Sequence, residues 1–130
     1  MNKSFPPGHN YRKINWEVKV LNSVTLIGRL TKDAELVQLE NYNRSVVKFI
    51  LAVGRDFISK SGEREADFIP VSYWTNYGDK LLPYLKKGRL IGVNGKISTK
   101  NYTKDDVRKY FTTVEADKVQ FLDHEKEALA

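Results

Sequence analysis

Apolar and polar residues alternate in short stretches along most of this chain. Ile14, Trp16, Val18 and Val20 alternate with Lys13, Asn15, Glu17 and Lys19, and the same parity continues through Val24, Leu26, Gly28 and Leu30. A period of two is the mark of a half-buried strand. One strand running from 14 to 30 would far exceed the usual five or six residues, so a break near Leu21-Asn22 is expected. The earlier half then reads as a separate edge strand or a loosely attached arm. A second strand is predicted over 46–53, with Val47, Phe49, Leu51 and Val53 on one face and Lys48 on the other. A third spans 66–74. Its odd positions Ile69, Val71 and Tyr73 face inward, which turns Phe68, Pro70, Ser72 and Trp74 outward. Pro70 has no N–H to donate, so one side of that strand lacks a partner there.

Residues 76–87 hold the helix candidate. Asn76 can cap it, Asp79 suits its first turn, Leu81, Leu82 and Leu85 line one side, and Gly88 stops it. Pro83 disrupts a helix interior, so a short kinked helix or a turn beginning near Pro83 is expected. The fourth strand, 90–100, places Ile91, Val93, Gly95 and Ile97 on one face and Asn94, Lys96, Ser98, Lys100 and then Tyr102 on the other. Residues 103–108 form a charged hairpin tip, 109–115 return as a fifth strand, and 118–122 close it. The resulting class is all-β: an OB-fold, a five-stranded Greek-key barrel with one short helix between strands 3 and 4. An immunoglobulin-like sandwich needs about seven strands and ranks behind it. The domain spans 21–122, preceded by an N-terminal extension (1–20) and followed by a short, mildly acidic tail (123–130).

At 130 residues the chain accommodates one small domain. It has no cysteine, which excludes disulfides and thiolate chemistry, and its two histidines, His9 and His124, lie near opposite ends. No metal, cofactor or catalytic residue is expected. Glu63, Glu65 and Asp67 interleave with Arg64 and Ala66 as an ion-paired surface does, and Asp105-Asp106 sit on a hairpin tip. Gly92-Val93-Asn94-Gly95 lies within a strand, without the strand-to-helix setting of a phosphate loop. An enzyme is therefore not expected. Neither an apolar leader nor a membrane-spanning run is visible, which points to the cytoplasm and away from a membrane.

Charge sharpens the picture. Twenty-two Lys and Arg against sixteen Asp and Glu leave a net charge of +6, and aromatics make up 12% of the chain. A basic, aromatic domain suits a polyanion with exposed rings. The outward faces and the loop after strand two supply Phe57, Phe68, Trp74 and Tyr102 for stacking, with Arg55, Lys60, Lys96 and Lys100 among them. Arg29 and Lys32 complete the candidate phosphate contacts. Bases stack on such rings without regard to sequence, and duplex DNA hides its base faces, so the fitting partner is a single strand. Each ring also has a structural alternative. Trp74 can pack under the helix, Phe68 can lie in a subunit interface, Tyr102 can brace the hairpin, and Phe57 can plug a loop base.

Four blocks then resemble the bacterial single-stranded DNA-binding protein family: Leu21 through Asp33, Gly62 through Ile69, Leu85-Lys86-Lys87-Gly88, and Val119-Gln120-Phe121-Leu122. The resemblance covers 21–122. It implies an OB-fold homotetramer, or in some members a paired-domain dimer, that coats and protects single-stranded DNA in replication, recombination and repair and so associates with the nucleoid. Carried over by position, its stacking aromatics fall on Phe57, Phe68, Trp74 and Tyr102, and its phosphate contacts on Lys60, Lys87 and Lys100. Asn76 and Asn101 stand where some relatives carry lysine. The family's long linker and acidic tip ending in Pro-Phe, which recruits replication and repair enzymes, has no counterpart here, so tail-mediated partners are unsupported. Residues 1–19 precede the usual family start. Two alternative readings use the same platform: a tail-less primosomal-type accessory protein and an RNA-binding OB protein.

Overall fold

The computed structural model describes residues 20–39 and 44–123. Six strands are formed, β1 (Val24–Leu30), β2 (Glu35–Gln38), β3 (Ser45–Ile58), β4 (Arg64–Thr75), β5 (Leu90–Lys104) and β6 (Val107–Phe121). Between β4 and β5 lie a helical turn, α1 (Gly78–Leu81), and a 3₁₀ turn (Leu82–Tyr84). The sheet order is β1-β5-β6-β4-β3-β2, and β1 also pairs with β3. That extra pairing closes β1, β5, β6, β4 and β3 into a barrel, with β2 added to the edge of β3. Neighbours are antiparallel except β4 and β6, which run parallel from Val71↔Val114 to Tyr73↔Ala116. The five-stranded barrel with its short helix between the third and fourth barrel strands is the expected OB-fold.

Inward parity builds the core. Val47 and Leu51 on β3, Val71 on β4, Ile91 and Val93 on β5, and Val114 on β6 are almost wholly buried. Leu85, 1% exposed, plugs one end of the barrel from the segment that follows the 3₁₀ turn. Backbone bonds hold that plug in place: Ala34 N–H donates to the Leu85 carbonyl at 2.9 Å and Gly88 N–H to the Leu30 carbonyl at 2.8 Å. Asp33 accepts from Lys87 N–H at 2.9 Å. The plug is therefore tied to the turn between β1 and β2.

Closure needs two glycines. A Cβ at Gly28 would strike the carbonyl oxygen of Ala52, where β1 crosses onto β3. A Cβ at Gly95 would strike the carbonyl oxygen of Glu115, beside the irregularity in β5–β6 pairing at Asn94/Gly95. Both are strand positions where backbones approach too closely for any side chain.

Several elements differ from expectation. The strand β2 has no counterpart in the sequence reading, because four residues are too few to show a period. The helix is capped at Tyr77 without a side-chain bond, so Asn76 is not its cap; Tyr77 N–H instead donates to Thr75 Oγ1 at 3.1 Å. Pro83 falls near the start of the 3₁₀ turn, where its missing N–H costs nothing. The tip at 103–108 shrinks to Asp105 and Asp106, both with positive φ (54° and 62°), as a two-residue type I′ turn requires. The separate stretches 109–115 and 118–122 are one strand, β6. Likewise β3 and β4 extend into the expected loop at 55–65, leaving Ser59 to Glu63 as the turn. Pro70 lies just before the parallel pairing with β6 begins, and its carbonyl accepts from Thr113 Oγ1 at 3.1 Å. Ile97, expected inside, is 48% exposed because β5 has by then left the barrel. The alternating residues 14–19 lie outside the described residues.

Two substitutions test this account by urea denaturation. Leu51→Ala should cost about 2–5 kcal/mol, as cavity formation does. Gly28→Ala should cost about 1–3 kcal/mol through overpacking against Ala52, although it adds only a methyl group.

Candidate nucleic-acid interface

Cross-strand register assembles one outward face. On β3 and β4, Val46 stands opposite Trp74, Lys48 opposite Ser72, and Ala52 opposite Phe68. Ser72 then neighbours Glu115 on β6, and Glu115 faces Lys96 on β5. Further out, Lys100 faces Phe111 and Tyr102 faces Lys109 on the β5–β6 arm. Because side chains alternate, all of these lie on the side away from the core.

The face is concave. A trough of about 550 Å³ has Val37, Leu39 and Val46 on one wall and Lys100, Tyr102 and Phe111 on the other, with Trp74, Ser72 and Thr113 between them. Lys48 lines it as well, and also lines an adjoining hollow of about 250 Å³ that reaches Lys32. A third hollow, about 240 Å³, sits on the other side of Trp74, with Arg44 and Lys96 at its rim. Trp74 is thus half-buried against the trough with hollows on both sides. The carboxylates Glu35, Glu115 and Asp117 border these spaces, so cations and acids share the lining.

The structure brings Lys32, Trp74, Lys96, Lys100 and Tyr102 to this surface. Phe68 lies on the same face of β4, 67% exposed, nearer the β3–β4 hairpin end. Phe57 and Lys60 are exposed at that hairpin, outside the trough. Arg29 and Lys87 are elsewhere. The Arg29 guanidinium donates to the Gly88 carbonyl at 2.9 Å and lies 3.9 Å from Asp123, while Lys87 is on the turn that Asp33 holds. Lys48, Phe111 and Arg44 line the spaces but are not among the site residues expected from the sequence, where Lys48 had only an outward face. The signal for Phe111 was the parity of β6, where inward Val114 and Ala116 put Phe111, Thr113 and Glu115 outward.

Arg55 is engaged within the chain. Its Nε and Nη2 donate to Asp67 Oδ1 at 3.0 and 2.7 Å, and Nη1 reaches Glu65 at 3.3 Å. Hydrogen bonding from Arg55 holds the Asp67 carboxyl below the usual carboxylate range, and Asp67 in return raises the Arg55 guanidinium. Arg64 Nη1 donates to the Arg55 carbonyl at 3.0 Å, which braces the same arm. Behind the barrel, Arg89 packs 4.9 Å from the Phe121 ring centroid, and its Nε is 2.9 Å from Asp123 Oδ1. These atoms are close but poorly aligned for a directional hydrogen bond, so the contact is an ion pair. Among the described residues no three His, Asp or Glu side chains gather as metal ligands, and no helix is long and apolar enough to cross a membrane.

Comparison with known proteins bears on this surface. The profile of the single-strand binding protein family matches residues 21–122. The chain belongs to that family. It is 49% identical over 104 residues to the single-stranded DNA-binding protein of Clostridium tetani, covering 79% of this chain and 71% of that one. It is 47% identical over 105 residues to single-stranded DNA-binding protein A of Bacillus subtilis, covering 80% and 60%. Among solved structures, Plasmodium falciparum SSB in complex with ssDNA superposes with a TM-score of 0.69 at 26% identity, over 82% of this chain and 98% of that one. The barrel and the family thus agree.

The Arg55–Asp67 contact predicts a pH effect with a definite sign. Asp67 favours the folded arm while ionised, so its contribution is complete above the ordinary Asp range and is lost as pH falls through its lowered folded value. An NMR titration of the Asp67 carboxyl should give a midpoint below that of free Asp, and Arg55→Gln should move it upward.

Proposed function

We propose that the outward face of β3, β4, β5 and β6 binds unpaired DNA without regard to sequence and coats it during replication, recombination and repair. The observation that carries this reading is one trough in which Trp74, Tyr102 and Phe111 lie among Lys48 and Lys100. Flat rings offer bases roughly 1–3 kcal/mol each in stacking, and a duplex cannot present its base faces to them. The lysines follow the phosphates and release counterions. Phe68 and Phe57 extend the platform beyond the trough toward the β3–β4 hairpin, with Lys60 beside them. Trp74 takes the central stacking position, and Lys32 and Lys96 carry the strand out of either end. Arg29, Arg55 and Lys87 contribute less, because two of them are held by carboxylates or carbonyls and the third stands off the trough.

Family membership, together with the exposed Ile27 on β1, supports a homo-oligomer, which we read as a tetramer. The setting is the cytoplasm, on nucleoid DNA, and the role is binding rather than catalysis.

The test is fluorescence titration with dT oligomers in a Trp16→Phe background, which leaves Trp74 as the remaining tryptophan. Addition of strand should quench it, and a duplex of equal length should compete poorly. Duplex competing as well as single strand would overturn the reading, and RNA competing equally would redirect it to RNA. Affinity should fall with salt at a log–log slope near −0.7 per phosphate neutralised. Trp74→Ala should weaken binding by about 5- to 150-fold, more than Lys48→Ala. The latter should flatten the salt slope by about 0.7.

A further inference from the structure

The β3–β4 hairpin extends beyond the core that holds it. Along the inward face of the pair the rungs are Phe49 and Val71, Leu51 and Ile69, then Val53 and Asp67. Leu51 is buried and Asp67 is exposed, so apolar cover ends at Val53. The backbone ladder is interrupted just beyond. Its register steps from Gly54↔Ala66 to Ile58↔Arg64, which leaves Arg55, Asp56 and Phe57 opposite Glu65 alone. Such a bulge bends its strand and leaves backbone groups without ladder partners. Phe57 lies inside the bulge and Phe68 two rungs toward the barrel, and both rings are exposed.

Charge takes the place of the core there. The Arg55 side chain crosses to β4, where Nε and Nη2 converge on Asp67 Oδ1 at 3.0 and 2.7 Å and Nη1 reaches Glu65 at 3.3 Å. Arg64 donates to the Arg55 carbonyl at 3.0 Å and passes over Gly54, where a Cβ would stand 3.5 Å from its chain. A lone exposed ion pair contributes little, but several charges in fixed geometry do more. The planar guanidinium fork sets orientation as well as distance. By parity Asp67 and Glu65 lie on the reverse of the arm from Phe68, which keeps this network off the stacking surface.

We propose that Asp67 and Arg55 are positioning residues for single-strand binding: their contact fixes the bend of the β3–β4 arm, so that Phe57 and Phe68 prolong the stacking surface that begins at Trp74. The inference rests on the reading that this face binds single strands, and neither residue has to touch DNA. Trp74 and Phe68 are six residues apart on β4, about 20 Å at roughly 3.3 Å per residue. Short oligomers therefore occupy the trough alone, and longer ones reach the arm. The consequence has an unexpected sign. Asp67 is a carboxylate on a protein that binds a polyanion, so by charge alone its removal would strengthen binding. Through the brace, its removal weakens binding.

The test uses the full chain carrying Trp16→Phe as parent. Quenching of Trp74 by dT oligomers of about 4 to 16 nucleotides, the span of OB-fold sites, gives affinity against length. Asp67→Asn should leave the shortest oligomers within about twofold of the parent and weaken the longest at least about fivefold, as the loss of one stacked base does. Arg55→Gln should weaken the longest by a similar factor. Exchanging the partners, Arg55→Asp with Asp67→Arg, should restore most of the loss. With Phe57→Ala and Phe68→Ala already in place, Asp67→Asn should have no further effect, because the rings it positions are gone. Tighter binding by Asp67→Asn, an equal loss at every length, or a full further loss without the two rings would overturn the proposal. A parent that gains no affinity with length takes the arm out of the site and overturns this inference alone. A parent that no oligomer quenches overturns the reading of the face, and this inference with it.

Discussion

The barrel depends on one close approach. β1 is paired along its length with β5 but reaches β3 only through Arg29 and Leu30, opposite Ala52 and Leu51. At that crossing the Gly28 backbone lies against the Ala52 carbonyl, with no room for a Cβ. Without the crossing the sheet would remain open, Leu51 and Leu30 would lose their cover, and the segment carrying Leu85 would have no rim to plug. Gly95 serves the same end on the opposite side of β5. There the chain kinks beside Glu115, and beyond that point β5 and β6 leave the barrel as an arm.

That departure creates the trough. Two long hairpins, β3–β4 and β5–β6, extend past the closed core, and their outward faces carry rings and lysines that the core has no use for. An exposed ring on a free-standing surface is poorly accommodated by water, so a strip of them in a concave, cationic setting is a surface suited to flat, anionic ligands. The division among the cations is physical. Lys32, Lys48, Lys96 and Lys100 line the hollows together with Arg44, whereas Arg55, Arg89 and Arg29 are each within ion-pair distance of a carboxylate. Arginine's fixed fork suits such internal bracing, while lysine's single flexible ammonium follows a mobile backbone.

Much of this was legible from alternation. The inward sets Val47-Phe49-Leu51, Ile69-Val71-Tyr73 and Ile91-Val93 could be read directly, and from them the outward positions of Phe68, Trp74, Lys96 and Tyr102, because side-chain period two is a local property of any strand. The short β2 could not be read, nor could the absence of an Asn76 cap, since four residues carry no period and cap geometry depends on how Gly78 packs against Leu36 and Ser45. Lys48 was assigned to an outward face but not to a site, because nothing in its neighbourhood along the chain signals what stands across the trough.

Local chemistry along the chain therefore determined the strands, their faces, the helix-breaking place of Pro83 and the basic, aromatic character of the surface. The tertiary structure alone decided which of those outward groups meet. Phe111 comes beside Lys100 through the register of two strands joined by a two-residue turn, and Arg55 is drawn to Asp67 across a hairpin. Lys48 faces Tyr102 over a space that exists only because the sheet closes and then curls. Such juxtapositions join residues distant in sequence, and closure of the barrel sets them.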